Sequence, residues 1–397
     1  MAQPSSAQAL TRSEVRTALT LSAAAVLRMF GLFMLLPVLS LWASELAGAN
    51  AWWVGVAVSI YGLSQAALQI PFGALSDRIG RRTVVIGALI LFVVGSFVAG
   101  TAEHVSQLII GRALQGAGAV SAALTAWLAD ASRDGARVRV NAIFGASIGL
   151  SFALSLVLGP ALASALSVRA LFGCAVTFGV LAILLVATAP GAPRQRRRGN
   201  ALAGALPAFR EPRLRALLLA VWLLHAILIA MFVALPIQLA NAGIASDAQW
   251  PLYLAALLGS LCVTLPMLRR ADASGSFALA VPAWWLMAIG LALIGPVLPS
   301  ALGFTLALGV FFAGFNFLEA GLPAWVSLLA PADVRGACLG AFSTAQFFGA
   351  FCGGLIGAAM LAGALPVPGL LPLAITAAVA ALLLGRTLTA KRVLPVA

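Results

Sequence analysis

Four strongly ionisable side chains lie inside long apolar runs of this 397-residue chain: Arg28, Arg112, His225 and Glu319. Such a group costs several kcal/mol among apolar neighbours unless it is paired or hydrated, so each is a functional candidate. Glu319 is the only carboxylate well inside a run. A carboxyl partly withdrawn from water holds its proton more tightly and can exchange it near neutral pH. Glu319 therefore reads as a proton carrier modulated by His225 or Arg28, and the bland alternative is a permanent ion pair that fixes helix packing. A lone histidine such as His225 is often only a hydrogen-bonded packing residue. The amides Gln65, Gln115, Gln238, Asn316 and Gln346 are candidates for hydrogen bonds to a substrate, or they merely join one helix to another.

Other chemistry is missing. The chain shows no nucleotide-binding loop, no metal-ligand cluster and no paired carboxylates, so neither an enzyme nor a cofactor or metal is expected. Cys174, Cys262, Cys338 and Cys352 fall in or at the ends of apolar runs without a Cys-x-x-Cys pair. They read as small packing residues, with no disulfide inferred.

The elements that hold these residues follow from composition. The chain is 62% hydrophobic and 9% charged, too few charges to cover a water-soluble surface, so most of the outside must face lipid. Apolar runs of about 20 residues, each long enough to cross a ~30 Å hydrocarbon core, recur along the sequence. They are continuous rather than alternating, which selects helices over a barrel. Twelve spans are predicted, at 15–41, 51–75, 82–101, 104–129, 138–164, 168–189, 214–240, 248–268, 276–297, 301–330, 336–362 and 367–389. Pro282 and Pro296 interrupt the ninth.

Charge placement tests that count. With both termini cytoplasmic, 21 of the 24 Lys and Arg fall on cytoplasmic segments; Arg169 lies on an outer loop, and Arg28 and Arg112 lie within spans. This is the positive-inside asymmetry, and one span more or fewer would scramble it. The net charge of +13 then reflects arginines at helix ends facing anionic lipid headgroups, not nucleic-acid binding. Trp42, Trp52, Trp53 and Trp250 sit near the outer boundary, as an aromatic belt would. The first apolar run is too long for a cleavable signal.

The chain also looks duplicated. A basic, Pro- and Gly-rich stretch at 190–213 separates residues 1–189 from 214–397, giving six spans on each side. Phe33-Met-Leu-Leu-Pro37 in the first span matches Phe232-Val-Ala-Leu-Pro236 in the seventh. Arg112-Ala-Leu-Gln115 in the fourth matches Asn316-Phe-Leu-Glu319 in the tenth at nearly the same offset.

Between the second and third spans stands Gly73-Ala-Leu-Ser-Asp77-Arg78-Ile-Gly80-Arg81-Arg82. A tight turn there needs Gly80 for backbone freedom, and Asp77 is placed to cap a helix or pair with arginine. This decapeptide resembles the signature of the major facilitator superfamily. Further matches are Leu108-Ile-Ile-Gly-Arg112-Ala-Leu-Gln115-Gly116-Ala-Gly118-Ala119 and Gly159-Pro160, the latter similar to the core of the antiporter motif. Ser155, Ala163 and Ser164 stand where that motif usually has glycine, which keeps small size but departs from the pattern. Leu27–Pro37, Ile60–Arg82, Phe232–Pro236 and Phe315–Ala320 resemble the YajR-like branch of proton-coupled, drug-efflux-like facilitators. Some members of that branch carry a soluble C-terminal domain, whereas this sequence stops at Ala397 and is read as lacking one.

The resemblance implies an all-α membrane protein of the major facilitator fold, with two pseudo-symmetric six-helix halves in a cell inner membrane. It implies that spans one, four, seven and ten line a central cavity, so Arg28, Arg112, His225 and Glu319 would share it. Arg112 would be a cavity cation responding to the proton state, unless it is structural and bonded to carbonyls. The Gly73–Arg82 cluster, with Asp130, would clasp the halves in the outward-facing state. The expected activity is proton-coupled, alternating-access efflux of a small amphiphilic compound by a monomer in contact with membrane lipids. Proton symport or facilitated passage of a sugar or other metabolite is the alternative.

Overall fold

The computed structural model describes residues 11–118, 120–190, 206, 208–274, 277–294, 300–331, 334–365 and 370–389. Most of the linker at 190–213, with its Arg-Gln-Arg-Arg-Arg run, lies outside the described residues, as does Pro296. Among the described residues ten helices are long and apolar enough to cross a membrane, and two shorter apolar helices, Phe277–Leu293 and Leu371–Gly385, take the ninth and twelfth places.

Helix starts are set by polar caps at the ends of the apolar runs. Thr11 and Glu14 form a reciprocal capping box on the first span, and Asn50 Oδ1 accepts from Trp53 N at 3.0 Å on the second. Glu211 caps the seventh span with Pro212 at its first turn, and Ser300 caps the tenth.

Four expected spans differ in detail. The first is not continuous over 15–41: a helix Arg12–Phe33 gives way to turns and then to a short helix Leu39–Ser44, because Pro37 cannot continue the ladder. The fourth is divided at Gly118 into Val105–Ala117 and Ser121–Asp130. The second runs on to Ile79, so the signature decapeptide is mostly the last turns of a helix rather than a loop. The ninth shrinks to Ala280–Leu293, preceded by one 3₁₀ turn at Phe277–Leu279.

Packing repeats between the halves. In the first six spans the most extensive contacts are one with five, one with six, two with four, three with four and three with six. Adding six to each number gives seven–eleven, seven–twelve, eight–ten, nine–ten and nine–twelve, which are the most extensive contacts of the second six. The largest contacts between the halves, second with eleventh and fifth with eighth, are related to each other by the same operation.

Small residues set the closest of these contacts. Ser151, Ser155 and Gly159, one per turn of the fifth span, meet the backbone carbonyls of Val26, Phe30 and Met34 on the first. Gly349, Gly353 and Gly357 of the eleventh span meet those of Trp222, Ala226 and Ala230 on the seventh. Each half thus carries a ladder of small residues against backbone carbonyls with one rung per turn, where any larger side chain would force the helices apart. Pro160 follows the last rung of the first ladder within the fifth span.

Candidate functional site

The four intramembrane ionisable residues divide into two sites. In the second half, His225 of the seventh span, Glu319 of the tenth and Gln346 of the eleventh meet. His225 Nε2 lies 3.5 Å from Glu319 Oε2. Gln346 Nε2 lies 2.8 Å from His225 Nε2 and 3.3 Å from Glu319 Oε1. The other ring nitrogen, Nδ1, lies 3.1 Å from the Val221 carbonyl. A carbonyl only accepts, so Nδ1 carries the hydrogen, and Nε2 of the neutral ring offers a lone pair to the Gln346 amide.

The Glu319 side chain is 39% exposed, that of His225 12%. The carboxylate is therefore reachable while the imidazole is nearly covered. Phe315, one turn before Glu319, places its ring 6.2 Å from His225 and 6.0 Å from Phe152 of the fifth span. Phe152 in turn lies 5.1 Å from Phe33 of the first. An aromatic wall thus runs from the first span across to the imidazole.

In the first half both arginines are buried and neither meets a carboxylate among the described residues. Arg112 gives Nη1 to Gln115 Oε1 at 2.7 Å, Nη2 to Val58 O at 3.2 Å and Nε to Ala57 O at 3.4 Å, over the Tyr61 ring. Carbonyl dipoles and a π face take the place of a counter-ion. Arg28 is less well served: Nη2 donates to Gln65 Oε1 at 3.0 Å and Nη1 approaches Met29 Sδ at 3.7 Å, with the guanidinium over Phe92. Its Nε and the Gln65 Nε2 are buried without an acceptor.

The amides read as candidate substrate ligands disperse accordingly. Gln65 and Gln115 are buried against the arginines, and Gln115 also donates to Ser96 Oγ at 2.8 Å. Asn316 donates to Ser260 Oγ on the eighth span at 3.1 Å, and Gln346 belongs to the acid. Gln238 is half-buried toward the outer end of the seventh span.

At the cytoplasmic end Arg81 gathers the signature residues. Its Nη2 lies 2.5 Å from Asp77 Oδ1, its Nε donates to Asp130 Oδ2 at 3.0 Å and its Nη1 to Ser76 Oγ at 2.6 Å. Gly80 makes the turn with φ +105°. Gly73 faces Ala122 of the fourth span, Arg82 bonds the Ala189 carbonyl and covers Trp127, and Arg78 is exposed. These contacts all lie within one half. The halves touch instead on the outer side, where Ser40 Oγ donates to Phe232 O at 3.3 Å and Gly55 and Ser59 meet Gly354.

One cytoplasmic residue escaped the sequence reading. Glu14 accepts from the Arg133 backbone N at 3.0 Å and from its Nε at 2.9 Å, tying the first span to the loop after the fourth. Glu14 is also the closing residue of the Thr11 capping box, third in the helix, a recognisable signal that drew no functional reading.

The family model for the Major Facilitator Superfamily matches residues 21–353. The chain belongs to the Major Facilitator Superfamily. It is 36% identical over 357 residues to the inner membrane transport protein YajR of Escherichia coli K12, covering 88% of this chain and 78% of YajR. An uncharacterized transporter of Buchnera aphidicola subsp. Acyrthosiphon pisum is 29% identical over 346 residues, covering 86% of this chain and 89% of that one. Among solved structures, a D-xylose-proton symporter superposes with TM-score 0.73 at 15% identity, covering 93% of this chain and 97% of that chain. The human organic anion transporter MFSD10 gives 0.71 at 18%, covering 97% and 100%. These two similarities establish the fold. This facilitator is a multi-pass inner-membrane transporter of the YajR-like kind, not an enzyme, and facilitators of this superfamily bind small-molecule substrates.

Proposed function

We propose that the protein exports a small amphiphilic compound by alternating access, driven by protons entering through Glu319. The observation that carries this reading is the partly exposed Glu319 carboxylate beside the His225 lone pair. A partly exposed acid backed by a base can take up and release a proton with each cycle. The aromatic wall of Phe33, Phe152 and Phe315 favours a substrate with an apolar face.

In this scheme residues 1–189 and 214–397 move as two units of a monomer about the 190–213 linker. Gly73, Asp77, Arg78, Gly80, Arg81, Arg82 and Asp130 form the cytoplasmic gate; Gly159 and Pro160 hold the fifth span to the first. Arg28 and Arg112, with Gln65 and Gln115, modulate the cavity from the first half, and Asn316 steadies the tenth span. The departures from the glycine pattern at Ser155, Ala163 and Ser164 favour a second reading, proton symport of a sugar or other metabolite.

The test uses purified protein in liposomes with an internal pH probe, an imposed proton gradient and a compound panel. Glu319→Gln should abolish compound-dependent proton flux that the wild type supports. A mutant that couples normally, or a compound that moves without protons, defeats the proton-carrier reading. Compound and proton moving in the same direction selects symport.

A further inference from the structure

Gln346 stands where a proton must go. Its amide nitrogen occupies the His225 Nε2 lone pair at 2.8 Å, and that lone pair is the only free acceptor on the ring because Nδ1–H is committed to Val221 O. The second amide N–H reaches Glu319 Oε1 at 3.3 Å. One side chain of the eleventh span therefore clamps the seventh and the tenth together while the pair carries no extra proton.

A single added proton resides on Glu319 Oε2 or on His225 Nε2, which lie 3.5 Å apart. In the first case the new O–H donates to Nε2; in the second the new Nε2–H donates to Oε2. Either way Nε2 no longer accepts from Gln346. Proton and amide compete for one lone pair, whichever partner formally holds the charge.

The residue next in the chain carries this outward. A Cβ at Gly62 of the second span would lie 2.6 Å from the Phe347 carbonyl oxygen, so the backbone following Gln346 is seated directly on the other half. The titratable groups facing Gln346 among the described residues are Glu319 from the tenth span and His225 from the seventh. The second span brings Gly62 and Ser59 to the eleventh, and Arg28 of the first span is engaged with Gln65 and Phe92.

We propose that Gln346 is a positioning residue that competes with the transported proton for His225 and, on release, loosens the eleventh span from the seventh where it bears on the second. This rests on the reading of Glu319 and His225 as the proton site. It also reassigns Gln346 from substrate ligand to coupling element.

The chain has only two histidines, so ¹⁵N-histidine NMR of the full-length protein in nanodiscs, with His104→Asn removing the other signal, follows His225 alone. At high pH the wild type should show the Nδ1–H tautomer. In Gln346→Leu, and in Gln346→Met should the first variant not fold, protonation should be half complete about half to one pH unit higher than in the wild type, the equivalent of one lost hydrogen bond. Thr305→Val, at the outer end of the tenth span, should leave it unmoved. Spin labels at the cytoplasmic ends of the second and eleventh spans should report a pH-dependent separation displaced by the same amount. An unmoved or lowered midpoint in both Gln346 variants, an Nε2–H tautomer at high pH, or a separation that ignores the variants overturns the proposal. Proton flux through Glu319→Gln liposomes is scored separately, so a failure of the coupling residue is distinguishable from a failure of the proton carrier.

Discussion

Arg28 gives one Nη hydrogen to Gln65 Oε1 at 3.0 Å and leaves its Nε with no acceptor, although the residue is fully buried. Eleven acidic residues are available in the chain, yet only Glu319 lies deep in a span, and it is taken by His225 and Gln346. A half-satisfied buried cation is a poor contributor to stability, and an apolar isostere in its place is often neutral or better. Arg28→Met should therefore raise or preserve the melting temperature of the purified protein, by the equivalent of about 0–2 kcal/mol, while transport in liposomes falls. A steep loss of stability would instead make Arg28 a structural residue.

The outer closure hinges on a freed carbonyl. Pro236 cannot donate to Phe232 O, and Ser40 Oγ of the other half takes that acceptor at 3.3 Å. Ser40→Ala should leave it unpaired only when the outside is closed, at a cost of about 1–2 kcal/mol. Labelling of a cysteine placed at the outer end of the first span should rise roughly tenfold, since 1.4 kcal/mol corresponds to a factor of ten. Unchanged labelling would show that another contact governs the closure.

Arg81 serves Asp77, Asp130 and Ser76 at once through separate nitrogens. A lysine ammonium cannot span that fork. Arg81→Lys and Asp130→Asn should both speed amide hydrogen exchange across Ser76–Arg82 and reduce transport, with Asp130→Asn costing about 3 kcal/mol as a broken, largely buried pair. Normal exchange in both variants would show that the turn is held by Gly80 alone.

Two glycines of the fifth span give opposite expectations. Gly159 is pressed on the Met34 carbonyl, whereas Gly149 has open space around it. Gly159→Ala should destabilise by about 1–3 kcal/mol through overpacking. Gly149→Ala should stabilise by up to about 1 kcal/mol through helix propensity. Thermal unfolding in detergent separates the two; equal effects would remove the ladder as an explanation.

Much of this was legible beforehand, for stated physical reasons. Uninterrupted apolarity and arginine placement dictate the spans, because lipid tolerates neither charge nor unpaired backbone. Rarity pointed to Glu319 and His225, since an ionisable group is conspicuous in a greasy run. What brings Gln346 to them is a meeting of spans seven, ten and eleven, and no local periodicity encodes a contact between residues 121 apart. Asn316 shows the same blindness: an amide in an apolar run reads equally as a substrate ligand or a helix joiner, and only the fold turns it to Ser260. The break at Gly118 and the handover of Phe232 O to Ser40 likewise depend on neighbours, not on the run itself.

The paired ladders, Ser151–Ser155–Gly159 on the first span and Gly349–Gly353–Gly357 on the seventh, have a mechanical meaning. The helices approach there through glycines and short serine hydroxyls bonded to carbonyls, with no long side chain to change rotamer, so these seams shear poorly and behave as girders. Apart from the loosening proposed at Gln346, motion is left to the second–eleventh and fifth–eighth seams, which cross between the halves. On the alternating-access reading proposed above, the transporter is a two-girder rocker whose bearings can be located by distance rulers: probes set across the first–fifth girder, or across the seventh–eleventh girder at Gly353 and Gly357, beyond the Gln346 clamp, should read one length in every state of the cycle.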